Sequence, residues 1–522
     1  MGIPSYFSHI VKKHRAIIKS FIQHKDKINN LYLDSNSIIY DAVHELPKDT
    51  THSHIESILI LAVCDKIIHY INLLKPNQTV LIAFDGVAPV AKLNQQRRRR
   101  YATGAISTTQ PANLLPGGKG AEPPWNTANI TPGTSFMSLL GDKVKARFAN
   151  PKEFGLLNLI VSAADEVGEG EHKLFEHIRQ FPTQHKESTT VIYGLDADLI
   201  MLTLNHLHIS DKLYLFRETP HFIKSLDNTL DPNSLYLLDI PLLSKNIEVP
   251  VQDYIFICFL LGNDFMPHFP ALNIRTKGID HLMLAYKHVF ADSNGHHLID
   301  QLTNGSKIIW KNVRKYITYL ASLEVEYLQA EYSLRDKMAK RKPFQTEKDV
   351  DETLLLPMKD RSPEVYINPF EAGWRERYYS TLFDIKINDA RCKEICINYL
   401  EGLEWTMKYY TSGCVDWRWT YKYHYPPLLA DLIKYIPYFD TNLLTLKEKN
   451  PVLPLVQLCY VLPKSSHYLL PQKVNALISK AKPEWYSSNC RFHWAFCKYF
   501  WESHIDMPEI NIGELELLVL GQ

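Results

Sequence analysis

At 522 residues the chain is too long for one ordinary domain and long enough to bury a sizeable core shared by two or three modules. Hydrophobic residues at 45% and charged residues at 22% argue against a disordered, fibrous or membrane-embedded class. With 58 basic against 57 acidic side chains, a net charge of +1, the chain shows no bulk basic excess of the kind that drives nonspecific nucleic-acid binding.

The first 30 residues carry Lys, His and Arg throughout and have no apolar h-region, so no signal peptide is expected. Tyr6 stands where myristoylation wants Ser or Thr, and no uncharged apolar run reaches transmembrane length, so no membrane partner is expected. Eight cysteines are too sparse for a disulfide scaffold, and Cys392 and Cys396 have no second pair nearby. Reduced thiols, no zinc site and an intracellular, cytoplasmic protein are the expectation, although no residue pattern separates cytoplasm from nucleus.

Through about residue 300, short apolar runs alternate with amphipathic stretches, the pattern of an α/β domain with a mostly parallel sheet. Buried strands are predicted at residues 30–33 (NLYL), 79–84 (TVLIAF), 157–162 (LNLIVS) and 190–194 (TVIYG). Three of them lead into an acid, Asp34, Asp85 and Asp196. The carboxyl ends of parallel strands share one sheet edge, so such residues converge in space.

Beyond Asp85, the segment AKLNQQRRRRYA reads as a helix on which Lys92, Gln96, Arg99 and Arg100 share a face at i, i+4, i+7 and i+8. A face of this kind is either a solvated basic run or a holder for a terminal phosphate, through Arg forks and a Lys point charge. Its position close to Asp85 favours the second. Residues 108–133, rich in Pro and Gly, read as an irregular loop. Glu169 and Glu171 open a helical pattern in GEGEHK, GLDADLI puts Asp196 and Asp198 two apart after a strand, and Asp264 lies in LGNDFMPH.

Any one of these acids is ordinarily a helix cap or turn former. Seven at one sheet edge would repel one another strongly unless cations were present. Oxygen ligands with little His or Cys favour Mg²⁺ or Mn²⁺, and two such ions form the clamp used in phosphodiester hydrolysis, one activating water and the other stabilising the leaving oxygen.

Residues 305–347 read as one long helix or a helical hairpin, and 349–363 as a linker. The remainder, from residue 370, is dense in aromatics, with a cluster at DWRWTYKYHYPP. Trp and Tyr there serve packing in most proteins and base stacking in some. Three segments are therefore expected: 1–300, a nuclease domain; 301–365, a helical extension and linker; and 366–522, a helical second region.

In order, the MGIP start, LYLDSNSII, FDGVAPVAKLNQQRRRR, ITPGTSFM, GEGEHK, YGLDADLIML, LGNDFMPHFP, GWRERYY, YYTSGCVDWRWTYKYHYPPLLADL, VLPKSSHYLLP and FCKYFWESH resemble the Xrn/Rat family of 5′→3′ exoribonucleases over nearly the whole chain. The resemblance implies a PIN-like, flap-endonuclease-related α/β domain and a second region that walls off the site. It also implies processive release of nucleoside 5′-monophosphates from single-stranded RNA bearing a 5′ monophosphate, by a monomer with two bound Mg²⁺ or Mn²⁺ ions. By that analogy Asp34, Asp85, Glu169, Glu171, Asp196, Asp198 and Asp264 are metal ligands or their supports, and Lys92, Gln96, Arg99 and Arg100 form the 5′-phosphate pocket. Base stacking falls to Tyr40 and to Trp417 or Trp419.

Two departures stand out. The family commonly has His where this chain has Tyr40, which implies retained stacking with altered pH dependence or translocation. The sequence also stops soon after the second region, as expected of a short, reduced member such as a viral one. Two alternatives remain: a structure-specific 5′ or flap DNA nuclease, and a catalytically silent RNA-binding protein. With seven acids facing inward onto metal, the rest of the chain is clearly basic, so near-neutrality does not exclude RNA.

Overall fold

The computed structural model describes residues 3, 5–20, 27–46, 54–109, 125–218, 228–231, 234–291, 297–302, 305–340, 352–445, 448–487 and 490–521. Its centre is a seven-stranded sheet of order β1-β7-β6-β5-β2-β3-β4. The strands are β1 (Ile18–Ser20), β2 (Asn30–Asp34), β3 (Thr79–Ala83), β4 (Asn158–Ser162), β5 (Thr190–Tyr193), β6 (Leu213–Arg217) and β7 (Tyr236–Asp239). β4, β3, β2, β5 and β6 run parallel, whereas β7 and β1 add antiparallel at one edge.

All four predicted strands are present within a residue or two. β1 and β7, with three and four residues, are too short for a periodic signal, and edge pairing decides their state.

Alternate side chains enter opposite layers, as the strand period of two requires. Tyr32, Leu81 and Ile192 face one core cluster, and Leu31, Leu33, Val80, Ile82 and Val191 face the other. The second layer is covered by α2 (Ile55–Leu74), which follows α1 (Asn36–His44). Among the described residues α2 is the one helix long and apolar enough to cross a membrane. Its Leu59, Val63, Ile67 and Ile71 instead bury against the sheet.

Four further helices of this half matter for the site: α3 (Val90–Thr109), α4 (Ser135–Arg147), α5 (Gly170–Gln180) and α6 (Asp198–His206). The predicted loop at 108–133 lies partly outside the described residues. Its last part ends on Thr134, whose hydroxyl accepts from the Met137 N–H and caps α4.

The segment 305–347 is not helical throughout. Gly305–Ile308 pairs as a strand with Ile299–Leu302, and α7 (Trp310–Lys340) starts after it; residues 341–351 lie outside the described set. The described part of the predicted linker is also structured. Leu356–Lys359 and Ser362–Ile367 are short helices with Pro in their first turns. Glu364 is buried between Arg335 of α7 (2.7 Å) and Arg361 (2.6 Å), a pairing that polar composition disguised as a linker. α8 (Asp389–Thr411), capped by Asn388, then sends Trp405, Tyr409 and Tyr410 into the core that the sheet also feeds.

Candidate active site

Parallel register sets the first acids side by side. Asp34 ends β2 opposite Ala83, and Asp85 follows β3 by two residues. Asn36 fixes Asp85: its Nδ2 donates to Oδ2 at 2.5 Å, and the Asp85 N–H donates to Asn36 Oδ1 at 3.1 Å. The first N–H of α5, on Gly170, donates to Asp85 Oδ1 at 2.7 Å. A Cβ at Gly170 would stand 2.6 Å from Asp34 Oδ1, so any larger residue there would displace the Asp34 carboxylate.

The Gly170 contact brings in Glu169, at the N-cap of α5, and Glu171, in its first turn, where the helix dipole favours acids. Glu169, Glu171 and His172 present ligand atoms within 4.8 Å of one another. Asp198 opens α6, and Asp196 precedes it. The structure thus brings the seven acids into one electrostatic cluster. Asp34 feels Asp85 and Asp196, Glu171 feels Asp198 and Glu169, and Asp198 feels Asp264.

Burial, and then the charges of Asp85 and Asp196, hold Asp34 well above the usual carboxylate range. Burial likewise raises Glu171, and burial with Asp264 pushes Asp198 up to about 7. Asp264 goes the other way despite its burial, because the Lys92 ammonium 2.8 Å away holds it well below the usual range.

Lys92 Nζ also lies 2.6 Å from Glu169 Oε2. Lys92, expected in the phosphate pocket, is thus held between two carboxylates of the acidic cluster. In a low-dielectric site its charge is drawn to the carboxylates rather than left facing solvent. One lysine cannot neutralise seven acids, and Glu171 Oε2 and Asp198 Oδ1 are buried without a hydrogen-bond partner. Buried, unpartnered hard oxygens in a cluster of like charge fit a divalent cation. His172, whose Nδ1 is also buried and unpartnered, was not anticipated. The signal was present in GEGEHK, but a histidine following two glutamates carries no marker of its own.

Further along the helix, Arg99 still acts on Asp264, while Arg100 makes other contacts. Arg100 is half-buried; its Nη2 donates to Thr131 Oγ1 at 2.6 Å, and its Nη1 is buried without a partner, as is Gln96 Oε1. Arg99 is exposed on the same helix. Thr131, from the loop before α4, was missed, since its closeness to Arg100 depends on tertiary packing. Arg97 is structural, donating to the Pro508 and Trp485 carbonyls at 2.9 and 3.0 Å.

Trp419, one of the two alternative stacking candidates, lies inside the protein. It is 7% exposed and heads an interior stack that runs to Trp405 (5.2 Å), Tyr409 (4.8 Å) and His172 (3.7 Å). Trp417 is half-buried, and its backbone anchors Val90 at the start of α3. Tyr40 on α1 is 40% exposed and lies in the field of Arg100 and Arg99.

The stack ends on chemistry, because the Tyr409 hydroxyl donates to Glu169 Oε1 at 2.7 Å. Tyr409→Phe keeps the stack and removes this bond. It is expected to weaken Mn²⁺ binding and turnover by about 10-fold, as loss of outer-shell support does, with little change in melting temperature. Titration calorimetry with Mn²⁺ checks this, and unchanged affinity would contradict it.

Burial raises the Tyr40 phenol, which therefore stays neutral at ordinary pH. A histidine there would titrate at or below about 6.5, since two neighbouring guanidiniums disfavour its cation. Affinity of Tyr40→His for a fluorescent phosphate monoester, relative to the unaltered protein, should rise as pH falls through that value, because the new cation joins Arg99 and Arg100. Fluorescence anisotropy between pH 5 and 8 measures the ratio; a flat ratio would contradict the placement.

Acids gathered at the carboxyl edge of a parallel sheet, beside a basic notch on an adjoining helix, define an α/β nuclease dependent on divalent metal. The chain matches the XRN 5′-3′ exonuclease N-terminus over residues 1–219 and the Xrn1 helical domain over 244–364 and 358–516. It belongs to that family.

A 5′-3′ exoribonuclease 2 homolog of Drosophila melanogaster is 25% identical, over 98% of this chain and 70% of its own length. The 5′-3′ exoribonuclease 2 of Arabidopsis thaliana is 25% identical, over 98% and 66%. The 5′-3′ exoribonuclease 1 of Saccharomyces cerevisiae is 26% identical, over 92% and 40%. Among solved structures, the catalytic core of Rad2 in complex with a DNA substrate covers 83% of this chain and 95% of its own, with 11% identity and a TM-score of 0.36.

Proposed function

We propose that the chain is a hydrolytic 5′→3′ exoribonuclease of RNA decay. It removes nucleotides from single-stranded RNA bearing a 5′ monophosphate, works as a monomer in the cytoplasm and uses two Mg²⁺ or Mn²⁺ ions. The observation that carries the reading is the division of α3: Lys92 enters the acidic cluster, while Arg100 and Gln96, two turns and one turn further on, keep buried polar atoms without partners.

Arg100, Gln96 and Thr131 hold the terminal phosphate, with Arg99 at the rim. Tyr40 offers its exposed ring to the terminal base. The scissile phosphate then lies over the acids, with Lys92 between Glu169 and Asp264 setting the local charge. Asp34, Asp85, Glu169, Glu171, Asp196, Asp198 and Asp264 would hold the divalent ions or support their ligands; ions bound there would supply activation of water and charge stabilisation at the leaving 3′ oxygen. The phosphate of the second nucleotide becomes the next 5′ end, so the same pocket serves each cycle.

Uniformly labelled 5′-phosphorylated RNA incubated with Mg²⁺ should give mononucleotides at every time point, and chelation of metal should stop the reaction. Accumulation of oligonucleotides, or preferential cleavage of a flapped DNA, would overturn the reading.

A further inference from the structure

On the exoribonuclease reading, the nucleotide released by each cleavage keeps its own 5′ phosphate in the Arg100 notch while the shortened RNA waits behind it. The notch must nevertheless empty before the next phosphate can occupy it. On another face of α3 from Gln96 and Arg100 lies a cavity of about 420 Å³, within the range of small-molecule sites. Arg98 and Arg99 line it from the helix, and Asp264 lines it as well, so it opens onto the acidic cluster.

Several of its lining side chains are polar or charged. Arg98 Nε, Gln95 Oε1, Asn263 Nδ2 and His424 Nδ1 are all buried without hydrogen-bond partners. Burial lowers His424, keeping its imidazole neutral, and its Nε2 lies 2.9 Å from Asp506 Oδ1, which leaves Nδ1 to accept from another group. Tyr423 and Trp501 supply rings, Trp501 at 46% exposure marking the mouth. The guanidiniums of Arg98 and Arg99 suit a phosphate and the rings a base, with the acceptors on Asp264, Glu502 and His424 left for sugar hydroxyls and base N–H groups.

We propose that this cavity is a product subsite that takes the released nucleoside 5′-monophosphate, its phosphate passing from Arg100 to Arg99 and Arg98 and its base settling against Tyr423 and Trp501. The proposal rests on the exoribonuclease reading. It makes departure of product independent of the arriving RNA, which processive degradation requires.

Photolabelling of the unaltered enzyme with 8-azidoadenosine 5′-monophosphate should mark peptides containing residues 421–424 or 497–504; labelling confined to Tyr40 and α3 would overturn the proposal. Trp501→Ala should raise the inhibition constant for AMP about 10-fold, the size of a lost base stack, with adenosine and inorganic phosphate each much weaker inhibitors. Ala102→Phe, which fills the cavity from α3, should leave the first cleavage of 5′-phosphorylated RNA intact and slow steady-state release about 10-fold. An unchanged AMP constant, or equal loss in the first and later cycles, would overturn it. If the unaltered protein releases no mononucleotide, the exoribonuclease reading itself fails, which the same assay shows before any variant is made.

Discussion

Replacing Asp85 or Asp198 with Asn is expected to lower RNA hydrolysis by about 10³-fold or more while leaving RNA binding measurable. Both side chains sit in the acidic cluster, Asp85 fixed by Asn36 and by the Gly170 N–H, and Asp198 buried with one oxygen unpartnered. Removal of one charge spoils the site for a divalent ion without touching Arg100 or Tyr40, the residues proposed to grip the RNA end. Rapid-quench kinetics together with binding at zero turnover separate the two effects; undiminished hydrolysis would remove the residue from the site.

Stability in the absence of metal should move the opposite way. The Asp198 carboxyl titrates at about 7 in the fold, above its ordinary value near 4. Its contribution to stability is therefore full below about pH 4 and is lost as pH rises through 7. At pH 8 Asp198→Asn should melt higher than the unaltered metal-free protein, and Mg²⁺ should stabilise the variant less than the unaltered protein. Melting curves with and without Mg²⁺ decide this.

The second large effect is expected at Arg100. Arg100→Ala should lower kcat/KM for 5′-phosphorylated RNA by about 10²-fold, the size of a lost charge-assisted pair, and should leave slow turnover of 5′-hydroxyl RNA unchanged. The buried Arg100 Nη1 lacks a partner, whereas Nη2 already has Thr131, so a phosphate would complete the guanidinium rather than compete for it. Equal losses on both RNAs would show that Arg100 supports the fold instead of reading the 5′ end. Arg97→Ala, by contrast, breaks two backbone contacts and should lower stability first.

The acidic site was legible in the sequence because strand periodicity and parallel register are local rules with long reach. Asp34, Asp85 and Asp196 needed only to follow strands for pairing to bring them together. Helical spacing placed Lys92 on a face with Gln96, Arg99 and Arg100, but spacing does not say which way a long side chain reaches. The charge of Glu169 and Asp264 decided that.

Thr131 and Tyr409 come from segments distant in sequence, and only tertiary packing carries them to Arg100 and Glu169. The aromatic motif could not separate Trp419, which packs on Trp405, from a ring open to a base. Composition misread residues 352–363 because a buried Arg–Glu–Arg pairing and a solvated linker draw on the same charged residues.

A single helix that joins a metal-holding acidic cluster to a notch for a 5′ monophosphate should make turnover depend sharply on the RNA 5′ end. One RNA labelled at its 3′ end, prepared with a 5′ phosphate, a 5′ hydroxyl or a cap and incubated with Mg²⁺, tests it most directly. The phosphorylated RNA should be lost rapidly, with little loss of the other two. Equal rates on all three would contradict it.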